Sequence, residues 1–250
     1  FLYGAALVYG FAGTVSLGGI ADAVTGQTQL NGLLLGGIAL MAVGMLFKVA
    51  AVPFQSWAPD VYQGSPTPVT AFMASGVKVA AFGAMLRLFY VGFGGASWDW
   101  RPAFWIIAIL TFFVGSMVAL AQSDIKRMLA YSSIAHAGFL LLGVIAVTPE
   151  GLAATMFYLV TYGLATVGAF GIVMLIRDDS GETSSMDAWR GLGRTNPLLA
   201  AAFTLFLLSF AGIPLTSGFI GKFAVFSAAA EAGEGWLVLL AVIASAIAAF

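Results

Sequence analysis

The chain has 250 residues, 61% hydrophobic and 8% charged, with a mean hydropathy of +1.00; an ordinary soluble domain carries roughly 25% charge, so the composition excludes one. A formal charge of −1 with no basic run gives no footing for nucleic acid. One histidine and no cysteine exclude iron–sulfur clusters, thiolate zinc sites and bis-histidine haem from this chain alone.

A crossing needs about 20 apolar residues. Apolar runs between charged or Gly/Pro-rich breaks predict helices at 1–17, 32–58, 67–91, 103–121, 127–147, 151–176, 197–230 and 236–250. That makes eight, the first and last incomplete. The runs are continuous, which disfavours a barrel, whose strands alternate; the expected fold is an all-α polytopic transmembrane bundle. The opening FLYGAALVYGFAG reads as the interior of a membrane helix, without a charged leader or cleavage site. The sequence is therefore read as one transmembrane domain over 1–250, an internal fragment of a longer chain.

The second run begins with GLLLG, Gly32 to Gly36, a weak small-residue packing signal. It ends in LFKVAAVPFQSW, where Lys48 precedes Pro53 by five positions. Pro53 has no N–H and denies the Val49 carbonyl its helical partner, so acceptors are expected beside the ammonium. Unpaired backbone at membrane depth is tolerated only where protein buries it or water lines it, so the break predicts a hydrated pocket. Lys78 follows on the third helix. Measured from a turn near Tyr62, both lysines lie on the order of 20 Å along their helices, near the midplane. A lysine there costs roughly 2.5–3.5 kcal/mol, so both are expected to face the bundle interior rather than snorkel.

The fifth helix carries His136 in YSSIAHAGF, with Ser132 and Ser133 one turn away. An imidazole can accept and donate at neutral pH, which suits a proton relay; the alternative is a hydrogen-bonded packing residue. Between the sixth and seventh helices, SSMDAWRGLG offers Ser184 as a cap with Asp187 three residues on, for a short surface helix or a plain loop. The run 197–230 exceeds one crossing and is expected to break at Gly212, Pro214 and Gly218, with Pro214 freeing the Phe210 carbonyl and Lys222 about two turns beyond. One break is ordered Lys then Pro, the other Pro then Lys, as an inverted repeat would leave them.

Lys126, Arg127, Arg177, Arg190 and Arg194 fall on one side, with the turn WAPDVYQGSPTP; Asp22, Asp99, Glu150, Glu231 and Glu234 fall on the other, with only Arg87 and Arg101 as cations. The positive-inside bias makes the first side cytoplasmic or equivalent. Desolvation penalises a charged amine, so buried lysines suit loading and releasing protons. No deep Asp or Glu accompanies them, and a carboxylate partner would lie outside residues 1–250 or on another subunit. No GxxxxGK[ST] or GxSxG occurs, and one histidine without a deep acid makes no metal site.

The segments FKVAAVPFQSWAPDVYQGSPTPVTAFMASGVKVAAFGAMLRLF, SDIKRMLAYSSIAHAGFLLLGV, WRGLGRTNP and LSFAGIPLTSGFIGKF resemble, in order and spacing, the antiporter-like membrane subunits of respiratory complex I, the proton-pumping NADH:quinone oxidoreductase. The resemblance covers nearly the whole chain and is strongest to the subunit N branch, since Lys222 stands where the subunit M branch carries glutamate. It implies that Lys48 takes the place of the lysine on the broken seventh helix, Lys78 that on the eighth, His136 the connecting residue on the tenth, and Lys222 the lysine on the broken twelfth. The glutamate that the family pairs with the lysine matched by Lys48 would precede Phe1. Gln55 departs from the family, where histidine is frequent.

By the same resemblance the chain would conduct protons through a midplane Lys/His relay driven by quinone reduction in partner subunits. NADH, FMN, iron–sulfur clusters and quinone would be held by those partners, and none by this chain. The location would be a bacterial inner membrane, or a mitochondrial inner or thylakoid membrane for an organellar copy. Two rivals remain: a sodium/proton antiporter subunit of a multi-subunit complex, which shares the fold, and a purely structural membrane subunit.

Overall fold

The computed structural model describes residues 1–26, 31–178 and 181–249. Its elements in order are α1 (Leu2–Ala12), α2 (Leu17–Thr25), α3 (Gly32–Lys48) and α4 (Trp57–Gly64). Helices α5 (Thr67–Phe72) and α6 (Lys78–Leu86) form one rod through a π-helical turn at Met73–Val77, extended by another at Arg87–Gly92. Then come α7 (Ser97–Ala119), α8 (Ile125–Ala146) and α9 (Pro149–Val173). A hairpin of β1 (Arg177–Asp178) and β2 (Gly181–Glu182), α10 (Leu192–Thr195), α11 (Pro197–Ala211), α12 (Ser217–Glu231) and α13 (Gly235–Ala249) complete the chain.

The rods Thr67–Gly92, Gly94–Ala119, Ile125–Ala146 and Pro149–Val173 are each apolar and 22 to 26 residues long. At 1.5 Å per residue they reach about 33 to 39 Å, enough to cross the hydrocarbon core. The chain is a multi-pass helical membrane protein. Several expected boundaries change. The 1–17 run is not one helix: Gly13, at φ 69°, ends α1, and α2 leaves at 58° to it. The 32–58 run divides into α3 and α4 at the break expected beside Pro53, and 197–230 divides into α11 and α12 at the break expected around Gly212 and Pro214. The expected all-α character also gives way once, to the two-residue hairpin.

Helix α8 holds the centre. It is apolar almost throughout and buried on every face from Ser133 to Ala146, the mark of a helix surrounded by others. Its nearest neighbour is α7: a Cβ at Gly115 would lie 2.4 Å from the Ala135 nitrogen, and one at Gly138 2.6 Å from the Phe112 nitrogen. Only glycine permits that approach. The small-residue contact expected of GLLLG falls elsewhere, because Gly32 faces open space and the close approach of α1 to α3 is made by Gly4 and Gly37.

The two ends of the bundle carry opposite fittings. At the basic end Arg127 donates to Asp60 at 2.5 Å, Gln63 to Asp124 at 3.0 Å, and Lys126 to the Ser65 carbonyl at 2.7 Å. The turn after α4 therefore shares the face of the basic residues, as expected. At the other end Arg101 pairs with Glu234 at 2.6 Å. Ser184 does not cap a helix; its hydroxyl donates to Asp124 and its carbonyl takes the Ile125 N–H at 2.8 Å. The connection is thereby tied down over α8, leaving a 3-10 turn at Met186–Trp189 and the four-residue α10.

Candidate functional site

The first break follows Lys48. Ala50 turns the chain at φ 60° and the Val52–Pro53 peptide is cis. The Ala51 N–H returns to the Leu46 carbonyl at 2.9 Å, and the Trp57 indole donates to the Phe47 carbonyl at 2.9 Å. Val52 N–H donates to the buried Thr111 hydroxyl of α7 at 2.9 Å. Thr111→Val would leave that donor unpaired, at a cost of about 1–3 kcal/mol. A lowered thermal midpoint of the purified assembly, with sequence length and composition otherwise unchanged, is the expected reading.

Lys48 stands apart from the interior formed by these 250 residues. It is exposed, and no hydrogen bond or ion pair reaches it among the described residues. The reason is angular. Helix α3 buries Leu34, Ile38, Met41 and Leu46, and Lys48 stands two residues, about 200°, round from Leu46. The acceptors released by the break go to backbone N–H groups and Trp57 instead. Gln55, inside the break, has a buried side-chain oxygen without a partner.

The other three residues come together. Lys78, 4% exposed, directly follows the first π-helical turn, a distortion frequent at functional sites. Its ammonium donates to the carbonyl and hydroxyl of Ser133 and lies 5.5 Å from the Tyr162 ring. The side chains of Tyr62 and Tyr162 both lie against Ser133. One turn on, His136 is 3% exposed. Its Nδ1 is 2.6 Å from the Tyr158 hydroxyl and its ring is 4.7 Å from that of Tyr162. Tyr162 thus stands beside both the amine and the imidazole.

Lys222 completes the row from the second break. Gly212 adopts φ 80°, where a Cβ would also meet Lys222 Cδ at 2.9 Å, so glycine is needed for both conformation and space. Thr216 caps α12 by accepting from the Phe219 N–H at 3.3 Å. Lys222, 4% exposed, donates to the Ala211 carbonyl at 3.0 Å and the Ser245 hydroxyl at 2.9 Å. The carbonyl that meets Lys222 is that of Ala211, within the expected break. Its ammonium sits 4.9 Å from the Phe139 ring, and that ring is 6.0 Å from His136.

The order is Lys78, Tyr162, His136, Phe139, Lys222. A cavity of about 460 Å³, lined by Gln122, Ser132, His136, Phe139 and Ala211 among others, meets this row. Tyr158, Tyr162 and Ser245 were not singled out by the sequence. Tyr158 and Tyr162 have the i, i+4 spacing of one helical face, which was the available signal. Among the described residues no three His, Asp or Glu side chains converge as a metal site.

The family described as "NADH:quinone oxidoreductase/Mrp antiporter, TM" matches residues 1–248. The chain belongs to this family. It is 60% identical over 250 residues to NADH-quinone oxidoreductase subunit N of Rhodococcus opacus, covering all of this chain and 46% of that protein. A structure described as respiratory complex I from Thermus thermophilus with bound Aureothin matches with a TM-score of 0.83 and 42% identity, over 99% of this chain and 53% of that one. A structure of the Mrp complex from Dietzia matches with a TM-score of 0.85 and 28% identity, over 99% of this chain and 45% of that one. The chain spans about half the length of the relatives it matches. Shape does not separate the two kinds of complex; the identity of 60% to subunit N sets the similarity there, as the sequence motifs implied.

Proposed function

We propose that this chain forms part of subunit N of a proton-translocating NADH:quinone oxidoreductase in a bacterial inner membrane, and that Lys78, His136 and Lys222 relay protons along the bundle's interior. The observation that carries the reading is their placement. Three titratable side chains from three helices are buried in one row, each bonded to a hydroxyl, in a family of membrane subunits. Packing alone gives no reason to bury two ammonium groups, each of which costs several kcal/mol after relaxation.

Lys48 enters the relay through a carboxylate beyond the described residues, consistent with its exposed position. The breaks at Pro53 and Pro214 are the two halves of an inverted repeat: each contains a non-glycine residue at positive φ, Ala50 in one and Leu215 in the other. Quinone, NADH, FMN and iron–sulfur centres belong to the partner subunits. The sodium/proton antiporter reading draws on the Mrp likeness, at 28% identity against 60% for subunit N of Rhodococcus opacus. A purely structural role would not require the buried cations. Affinity purification of the full-length protein from its native membrane tests the assignment. Flavin and iron–sulfur subunits are expected to accompany it; an assembly without redox centres would overturn it in favour of the antiporter.

A further inference from the structure

The hairpin places Glu182 between two environments. On one side is a polar cleft of about 770 Å³ at the basic end, lined by Gln63, Gln122, Asp124, Ser184 and Arg190 as well as Glu182. On the other, Glu182 accepts from the Thr67 hydroxyl and lies 3.8 Å from the Lys126 ammonium. Thr67 is 1% exposed and Lys126 5%. An ion pair that is partly exposed contributes only about 0–1 kcal/mol, whereas burying an ammonium costs several. Strapping the hairpin to α8 is therefore not sufficient reason for Lys126 to be there.

What lies beneath is a polar column. Lys126, Ala130 and Ser133 share one face of α8 at i, i+4 and i+7, and Ser133, about 10 Å further along the axis, is the residue that holds Lys78. Helix α5 adds Thr67 and Thr70, both fully buried. The Thr70 hydroxyl donates to the Tyr62 carbonyl at 3.2 Å, and the Tyr62 side chain reaches Ser133.

We propose that Glu182 is the proton-uptake group of the basic face, delivering protons past Lys126 and Thr67 to Lys78; this rests on the relay reading above. Hydronium from the medium, reaching Glu182 through water in the cleft, protonates its carboxylate and is left as water. The proton then moves through the Thr67 hydroxyl, intervening water and the Tyr62–Ser133 pair to the neutral amine of Lys78. Glu182 returns to carboxylate and Lys78 becomes ammonium, so one proton is transferred and nothing is oxidised. Lys126 neither gives nor takes a proton in this sequence. The other charged groups facing Glu182 are Arg177, its cross-strand partner, Asp124 at the start of α8, and Asp187 and Arg190 across the cleft.

The test is Glu182→Gln in the assembled complex, since glutamine keeps an acceptor for Thr67 and so preserves the strap. Proton uptake driven by NADH in inverted membrane vesicles is expected to fall by roughly tenfold, less than the 10²-fold or more typical of a positioned acid–base group because cleft water partly substitutes. The loss should deepen as the medium becomes alkaline and hydronium becomes scarcer, and Glu182→Asp should restore most of the rate. Thr67→Val, which breaks the strap but keeps the carboxylate, controls for folding through assembly yield. A Glu182→Gln rate equal to the parent's at every pH, or a loss that is uniform with pH and tracks assembly yield, overturns the proposal. Lys78→Ala separates the two readings. If it leaves pumping intact the relay itself fails, and if it stops pumping while Glu182→Gln does not, only the uptake route fails.

Discussion

Lys78→Ala is expected to abolish proton translocation while the complex still assembles and oxidises NADH into an artificial acceptor. Lys78 is the only one of the proposed relay amines that contacts Ser133, and beside Ser133 and Tyr162 it would be the link between the basic face and His136 in the proposed relay. Removing it leaves the Ser133 carbonyl and hydroxyl short of a donor, a cost of about 1–3 kcal/mol. Against a typical stability of about 5–15 kcal/mol the fold tolerates that loss, and it also removes a buried charge. Quenching of a pH-sensitive dye in inverted vesicles supplies the measurement. Parental proton flux in this variant would defeat the relay. Lys48→Ala is the informative companion: an equal loss would put the exposed Lys48 in the same circuit, through groups beyond the described residues.

The second large effect is structural. Gly218→Ala is expected to reduce the assembled complex to a small fraction of the parental yield. A Cβ at Gly218 would stand 1.8 Å from the Ser209 carbonyl oxygen and 2.8 Å from its hydroxyl, which accepts the Gly218 N–H at 3.1 Å. Overpacking commonly costs about 1–3 kcal/mol and sometimes more. Here the obstacle is backbone that cannot rotate aside, so α12 must move and carry Lys222 from Ala211 and Ser245. Gly171→Ala is the control, because nothing lies within 4 Å of its added methyl. Comparable yields for the two variants would show that the second break is looser than its geometry indicates.

Charge and apolar run length made the membrane class, the long crossings and the buried positions of Lys78, His136 and Lys222 legible, since a charged group inside a continuous apolar run has few places to go. The orientation of Lys48 was not. Helix α3 is apolar on all sides apart from that lysine, so no polar stripe marks which face is turned inward. Tyr158 and Tyr162 were hidden for the same reason: on an apolar helix an aromatic residue beside an imidazole looks like one beside lipid. The burial of Lys126 depended on a connection more than fifty residues later folding back across it, and sequence periodicity holds no information on such a contact. Pro214 marked the second break, while the identity of the carbonyl that meets Lys222, Ala211, depends on how the chain turns at Gly212, which the sequence does not specify.

The ring of Phe139 has a consequence for how charge is stored. Its carbon edge can neither give nor take a proton, so the imidazole on one side and the amine on the other are insulated unless water files past. Such a dielectric plate lets the two ends of the row hold different charges at the same moment, as a capacitor does. Replacing it with a hydroxylic side chain would short the plates and dissipate the separation that the proposed relay requires.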